Sequence, residues 1–259
     1  MEIPVFQCCA CGRCCSNIRG LASDEEKEFI RQYGKGKLPL VQIQDPSEMT
    51  FPLWDFEAKR FRQYEKDMGI DAHIVPARGI MDLKSNRFII VTYQMKTIAA
   101  CPFQSESKKC SIYHTKRAFI CHLFPFNRSP FSQGTDSAQA LFGHCHTLDS
   151  FKQAFHYNDK TQLRSELRRS FGPILENAVQ HDFLIEWSNN LVIKLTKDGI
   201  VRPALNYPEE HLMRRIRNCA HIDFTDFLVS TGIFSAEEMS EIIRGFENLV
   251  QAKVALKAF

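Results

Sequence analysis

Two hydrophobic rhythms run along this chain, and they divide it. From Ile74 to Leu83 and from Phe88 to Met95 apolar residues come in short, dense runs. In the second run Ile89, Val91, Tyr93 and Met95 alternate with Thr92 and Gln94. That period of two predicts a pair of strands, the second half-buried, joined by a hairpin turn over Lys84–Arg87. Elsewhere the spacing is helical. Pro52 suits the first turn of a helix running to Met68, with Gly69 as its stop and Leu53, Phe61, Tyr64 and Met68 as its apolar stripe. Ser23 with Glu26 makes a capping-box pattern for a short helix through Glu28, Phe29, Ile30 and Tyr33, ended by Gly34. Gly34-Lys35-Gly36-Lys37 lacks a preceding strand and a following helix, so it predicts a turn and not a phosphate loop.

Beyond Thr147 the texture is that of helices. Phe151, Phe155, Leu163, Leu167, Phe171, Ile174 and Leu175 fit the period, with a break at Gly172-Pro173. Leu191–Thr196 reads as a strand before a turn at Asp198-Gly199. Pro208 opens a helix through Leu212 and Ile216, and Asp223–Ser230 makes another. Ser235 with Glu238 is a second capping box, opening a long helix to about Leu256. The fold class expected is α+β and mainly helical. A small cysteine-rich metal-binding half with a β-hairpin (1–147) precedes a mainly helical region (148–259).

Composition adds bounds. A chain of 259 residues with 44% hydrophobic and 24% charged content is ordinary for a globular protein. The net charge of +3 is small, and the basic groups at Arg164–Arg169 and Arg214–Arg217 are interleaved with acids or apolar residues. Nucleic acid is therefore not an expected partner. No apolar run is long enough to span a membrane, and Met1–Phe6 has neither the basic nor the apolar part of a signal peptide. The expected location is the reducing cytoplasm, where clustered cysteines hold metal more often than they form disulfides.

Those cysteines carry the chemistry. Five of the ten fall in Cys8-Cys9-Ala10-Cys11-Gly12-Arg13-Cys14-Cys15, and Cys101, Cys110, Cys121 and Cys145 follow. The predicted hairpin delivers the chain to Cys101, so the two groups can meet in space. Cys8-x2-Cys11-x2-Cys14 lets one loop wrap one face of a metal centre. The run resembles that of bacterial ferredoxins, but Ile18 stands where their fourth cysteine would be, so a remote ligand such as Cys101 is needed. Cys14 and Cys15 are expected to serve different centres, or one of them to stand behind the other. Setting aside Cys9 and Cys219, the latter expected to be a buried thiol, leaves Cys8, Cys11, Cys14, Cys15, Cys101, Cys110, Cys121 and Cys145. Eight thiolates make two four-ligand sites, or one cluster plus spare thiols. Iron–sulfur, with a 4Fe-4S cluster favoured, and Zn2+ both fit the donors.

Phe6-x-Cys8-x-x-Cys11-Gly12-Arg13-Cys14-Cys15, Cys101-Pro102-Phe103, Cys110-x-Ile112-Tyr113, Arg117, Cys121 and Phe124-Pro125-Phe126 resemble the CxxCxxCC cysteine-cluster family. The resemblance spans residues 6 to 147. Its members are described as zinc- or iron-chelating proteins, and flagellin lysine N-methylase is among them. It implies eight cysteine ligands. It also raises SAM as a cofactor and N-methyl transfer to a protein substrate as an activity, although no glycine-rich SAM loop on a Rossmann strand is visible. Three departures stand out: Ala118 replaces the usual proline, His122 the usual arginine, and His146-Thr147 the usual Pro-Gly. They make His122, His144 and His146 substitute donors beside Cys145. Glu57, Tyr113 and Arg117 are the polar catalytic candidates. Glu57 falls within an apolar stripe, where a boundary carboxylate that reaches solvent or a lysine is the expected case. Tyr113 and Arg117 could equally be packing and a salt bridge. The competing reading is a zinc-stabilised module that docks a partner protein without catalysis.

Overall fold

A computed structural model describes residues 5–9, 11–16, 38–45, 48, 50, 52–96, 100–126, 145, 148 and 160–247. The sequence readings at Ser23–Gly34, 34–37, His144, His146, Phe151, Phe155 and 248–256 lie outside those residues.

The hairpin is the frame. Strands β3 (Ile74–Asp82) and β4 (Arg87–Met95) pair antiparallel, with Ile80 opposite Ile89 and Met81 opposite Phe88. Asp82 builds the turn between them: its carboxylate accepts from the N–H groups of Lys84 and Ser85 and from the Ser85 hydroxyl. β1 (Val41–Gln42) adds to the outer edge of β3. On the far edge of β4 two short strands lie end to end. β2 (Pro52–Trp54) runs antiparallel to its last third, and β5 (Ala220–Asp223) runs parallel to its first half. The result is a mixed five-stranded sheet in an α+β fold.

The strands and helices lie close to the boundaries read from sequence, with three differences. Pro52 opens a strand, and helix α1 starts later, at Asp55–Met68. The reason is period two: Leu53 enters the core on one face of the sheet and Trp54 the core on the other. β4 is not half-buried, because every residue from Phe88 to Met95 is buried. Leu191–Thr196 is helix, the last part of α4 (Pro173–Lys197). Leu184, Trp187, Leu191, Val192 and Leu195 all enter one core, which is the helical period that a short apolar window conceals. The break before α4 falls where Gly172-Pro173 predicts it, after α3 (Lys160–Phe171).

Both faces of the sheet are covered. α1, Phe103 and Ile112 of the cysteine segment, and Leu212 and Ile216 of α5 (Glu209–Asn218) bury Met81, Phe88 and Ile90 on one side. α4, α6 (Phe224–Ser230) and α7 (Ala236–Glu247) bury Ile80, Ile89 and Val91 on the other. Each such side chain contributes about 1.5–3 kcal/mol on leaving water. A third cluster gathers Phe6, Leu123, Phe126, Leu148, Leu167, Phe171 and Leu175. The capping box of α7 forms reciprocally: Ser235 N–H donates to Glu238, and Glu238 N–H to the Ser235 hydroxyl. Among the described residues, no helix is long and apolar enough to cross a membrane.

Gly79 lies opposite Ile90 in the β3–β4 pair. A Cβ there would lie 2.3 Å from the Ile89 carbonyl oxygen and 2.7 Å from the Phe88 ring. Gly79→Ala should destabilise the fold by about 1–3 kcal/mol, the usual cost of overpacking a core. The shift of the urea midpoint reads this directly, and an unchanged midpoint would show that the strands can part without penalty.

Candidate metal centre

The cysteine-bearing segments meet under the α1 face of the sheet. Residues 11–16 fold into a tight turn in which the N–H groups of Cys15 and Ser16 both donate to the Gly12 carbonyl at 3.0 Å. On one side this turn is anchored through Phe6, whose N–H donates to Ser170 O at 2.8 Å and whose ring lies 5.3 Å from that of Phe171. On the other it docks on the 101–110 loop. Cys101 N–H donates to Cys15 O at 2.6 Å. The Gln104 amide donates to Gly12 O at 2.9 Å and to Lys108 O at 3.0 Å, and its oxygen accepts from the Ser16 hydroxyl at 3.2 Å. Gly12 is required here: its φ is +69, and a Cβ would stand 2.0 Å from Lys108 O. The two cysteine groups, about ninety residues apart in sequence, are thus adjacent, as the hairpin implies.

Cys121 arrives from a third direction, on the short helix α2 (Phe119–Leu123). Its thiol feels Cys101 and Cys110, and the Cys101 thiol feels Cys110 and Cys14. Burial, then the neighbouring sulfurs, pushes Cys101 up to about 11 and Cys121 further. Cys14 is raised first by its contact with Cys15 and then by burial. The Cys14 and Cys15 sulfurs are 3.8 Å apart. The two sulfurs therefore stand together. Two thiolates on one tetrahedral ion, with bonds of about 2.3 Å, are separated by about that distance, so the pair fits one edge of such a site. A full donor set is not assembled: among the described residues no three His, Cys, Asp or Glu side chains converge closely enough to hold a metal.

The other cysteines sort differently. Cys8, Cys9 and Cys11 are exposed. Cys145 packs on the third apolar cluster. Cys219 is a half-buried thiol 3.8 Å from the Met81 sulfur.

The polar candidates have structural partners. Glu57 is fully buried, so it is not the boundary carboxylate expected. One oxygen accepts from Trp54 N–H at 3.0 Å, closing the N-terminus of α1, and the other from Phe119 N–H at 2.7 Å, opening α2. Arg60 stands 3.7 Å away, in place of the anticipated lysine. Arg117 lies over the Tyr113 ring at 4.3 Å, a cation–π contact. Its guanidinium also reaches His122 Nδ1 at 3.4 Å. Burial, then Arg117 and Arg60, lowers His122 to about 4, so its imidazole is neutral at pH 7. Sequence reasoning missed Gln104, an ordinary glutamine with no local signal. No known protein family, curated protein or solved structure matches the chain.

The Gln104 clamp predicts that Gln104→Ala costs about 1 kcal/mol for each hydrogen bond lost, and that Gly12→Ala costs more because it also undocks the turn. Hydrogen exchange at the Cys101 amide should rise in both. Glu57 sets a pH dependence in the metal-free protein. Burial lifts its carboxyl from the usual 4.5 to about 7. Between those values the folded chain holds a proton that the unfolded chain releases, so stability falls as pH rises through the window. Glu57→Gln should flatten that slope. It should also cost about 1–3 kcal/mol overall, because its amide nitrogen would face a backbone N–H. Urea titrations across the pH range read both effects.

Proposed function

We propose that the protein is a cytoplasmic thiolate metal protein, carrying one or two iron–sulfur clusters on Cys8, Cys11, Cys14, Cys15, Cys101, Cys110, Cys121 and Cys145. The observation that carries this reading is the meeting of three cysteine-bearing segments: Cys101 N–H donates to Cys15 O at 2.6 Å, and Cys101, Cys110 and Cys121 pack against the same apolar core. Soft, deprotonated sulfur donors at such a junction suit iron or zinc. The resident metal would hold the three segments together and stabilise a surface otherwise tied by a few hydrogen bonds.

One observation favours the second reading, a zinc-stabilised module that docks a partner protein. The 3.8 Å Cys14–Cys15 pair suits an ion with two terminal thiolates. Zinc meets that condition, and so does each iron of a two-iron cluster, whereas a four-iron cluster takes one thiolate per iron. Methyl transfer from SAM to a protein substrate rests on the family resemblance alone. Glu57 supports no catalytic role, since both of its oxygens accept backbone N–H groups.

Metal and acid-labile sulfide analysis of protein purified without oxygen tests the proposal. Iron with matching sulfide and broad visible absorption is the expected result. Colourless protein with stoichiometric zinc would replace it with the second reading, and protein that binds neither would overturn both. Cys121→Ser should lower the metal content in either case, while Cys219→Ser should leave it unchanged.

A further inference from the structure

The turn end of the β3–β4 hairpin, opposite the strand end that leads to Cys101, carries an open cleft. Lys84, Thr196, Gly199, Val201, Arg202 and Pro203 line it, and its volume is about 530 Å³. The loop after α4 crosses the hairpin to build it. Arg202 N–H donates to Asp82 at 2.8 Å, Leu83 N–H to Arg202 O at 2.8 Å and Ala204 N–H to Met81 O at 3.0 Å. Lys84 Nζ donates to Gly199 O at 2.9 Å, which ties the hairpin turn to the end of α4. The electrostatics here are one-sided. Asp82 lies beneath, but its carboxylate is met by the N–H groups of Lys84, Ser85 and Arg202 and by the Ser85 hydroxyl. Asp198 is taken by Lys194 at 2.8 Å. Among the described residues, the exposed Arg87 and Arg202 form no ion pair. Arg215 meets the Asn86 side-chain oxygen at 2.8 Å, a neutral partner. Lys84 uses one of its three ammonium protons on Gly199, so two stay available. Beside these cations Leu205 is 63% exposed and Tyr207 43%.

We propose that this cleft docks an acidic peptide segment of a partner protein. Its carboxylates meet Arg202 and Lys84, and its apolar side chains cover Leu205 and Tyr207. The guanidinium of Arg202 has the fork that a carboxylate accepts in bidentate fashion. Positive charge beside an exposed tyrosine and leucine is the pairing of steering charge and apolar anchor that protein interfaces use. Glu209 and Glu210, exposed at the start of α5, bound the surface on one side. They would repel the continuous phosphate backbone of a nucleic acid, whereas a short acidic segment can end before them. The surface lies away from the cysteine junction and requires no metal, so it stands independently of the proposed metal function.

Fluorescence anisotropy of the full chain tests this with a short fluorescein-labelled peptide of alternating glutamate and leucine. A matching peptide of glutamine and leucine and a single-stranded DNA oligomer are the comparison probes. The glutamate peptide should bind, and added salt should weaken it. The glutamine peptide should bind about tenfold more weakly. Arg202→Glu should weaken the glutamate peptide about tenfold or more, because like charges then face each other, and Leu205→Ser should weaken it several-fold. Both side chains are exposed, so circular dichroism should show both variants folded as wild type. Lys66→Glu, an equal charge change at an exposed site on α1, should leave binding unchanged. The proposal is overturned by a glutamate peptide that does not bind, or by a glutamine peptide or DNA oligomer that binds as tightly. It is equally overturned if Arg202→Glu or Leu205→Ser has no effect, or if Lys66→Glu weakens binding as much as Arg202→Glu.

Discussion

The buried carboxylate of Glu57 is the joint on which the arrangement depends. Taking an ionised side chain out of water costs several kcal/mol unless its oxygens are met by donors. Here the donors are two backbone N–H groups from separate parts of the chain, one at the strand-to-helix junction at Trp54 and one at the start of the helix that carries Cys121. Each is an N–H that a helix start leaves without an internal partner. A single side chain therefore closes two helix termini and fixes the distance between them. The helix opened by this tie carries Cys121, which packs against the core beside the sheet.

The same region gathers charge from further away. Arg60, one turn along α1, reaches the Glu57 carboxylate, the Arg117 carbonyl and the Glu247 carboxylate at the end of α7, and Lys116 also meets Glu247. The end of the last described helix is thus held to the segment between Cys110 and Cys121. β5, from the later part of the chain, completes the sheet beside β4, and α4, α6 and α7 cover one of its faces. A cysteine-rich front half and a helical back half describe the sequence well. In space the two share one sheet.

What the sequence made legible was local. The β3–β4 hairpin, the Gly172-Pro173 break, α5 and the capping box at Ser235 each have their signals within a few residues, and each stands close to where those signals place it. The short strands β2 and β5 do not, because two to four residues carry no period and their pairing is decided by β4. Leu191–Thr196 misled for a related reason: a run of six with five apolar or β-branched residues looks alike in a buried strand and in a long buried helix. Glu57 was legible as a carboxylate on an apolar stripe. Its partner Phe119 is sixty-two residues on, and no spacing rule reaches that far. The meeting of the two cysteine groups followed from the hairpin, whereas the clamp that holds them is a glutamine no different in sequence from any other.

The buried cysteines of this junction disfavour their own thiolates. Burial and mutual repulsion raise Cys101 and Cys121, and contact with Cys15 raises Cys14, so in the metal-free protein these groups hold their protons at neutral pH. Arg117 is the nearby positive charge that favours a thiolate at Cys121, and a single guanidinium is outweighed by burial. Such neutral thiols contribute little: sulfur is a weak hydrogen-bonding group, and a packed apolar residue would fill the space as well. A soft metal ion reverses the balance, since it stabilises the very thiolates that burial penalises and releases their protons as it binds. Cys8, Cys9 and Cys11, ahead of the turn, are exposed. One short run of sequence thus places thiols in two different dielectric settings, and the turn at Gly12 is the boundary between them.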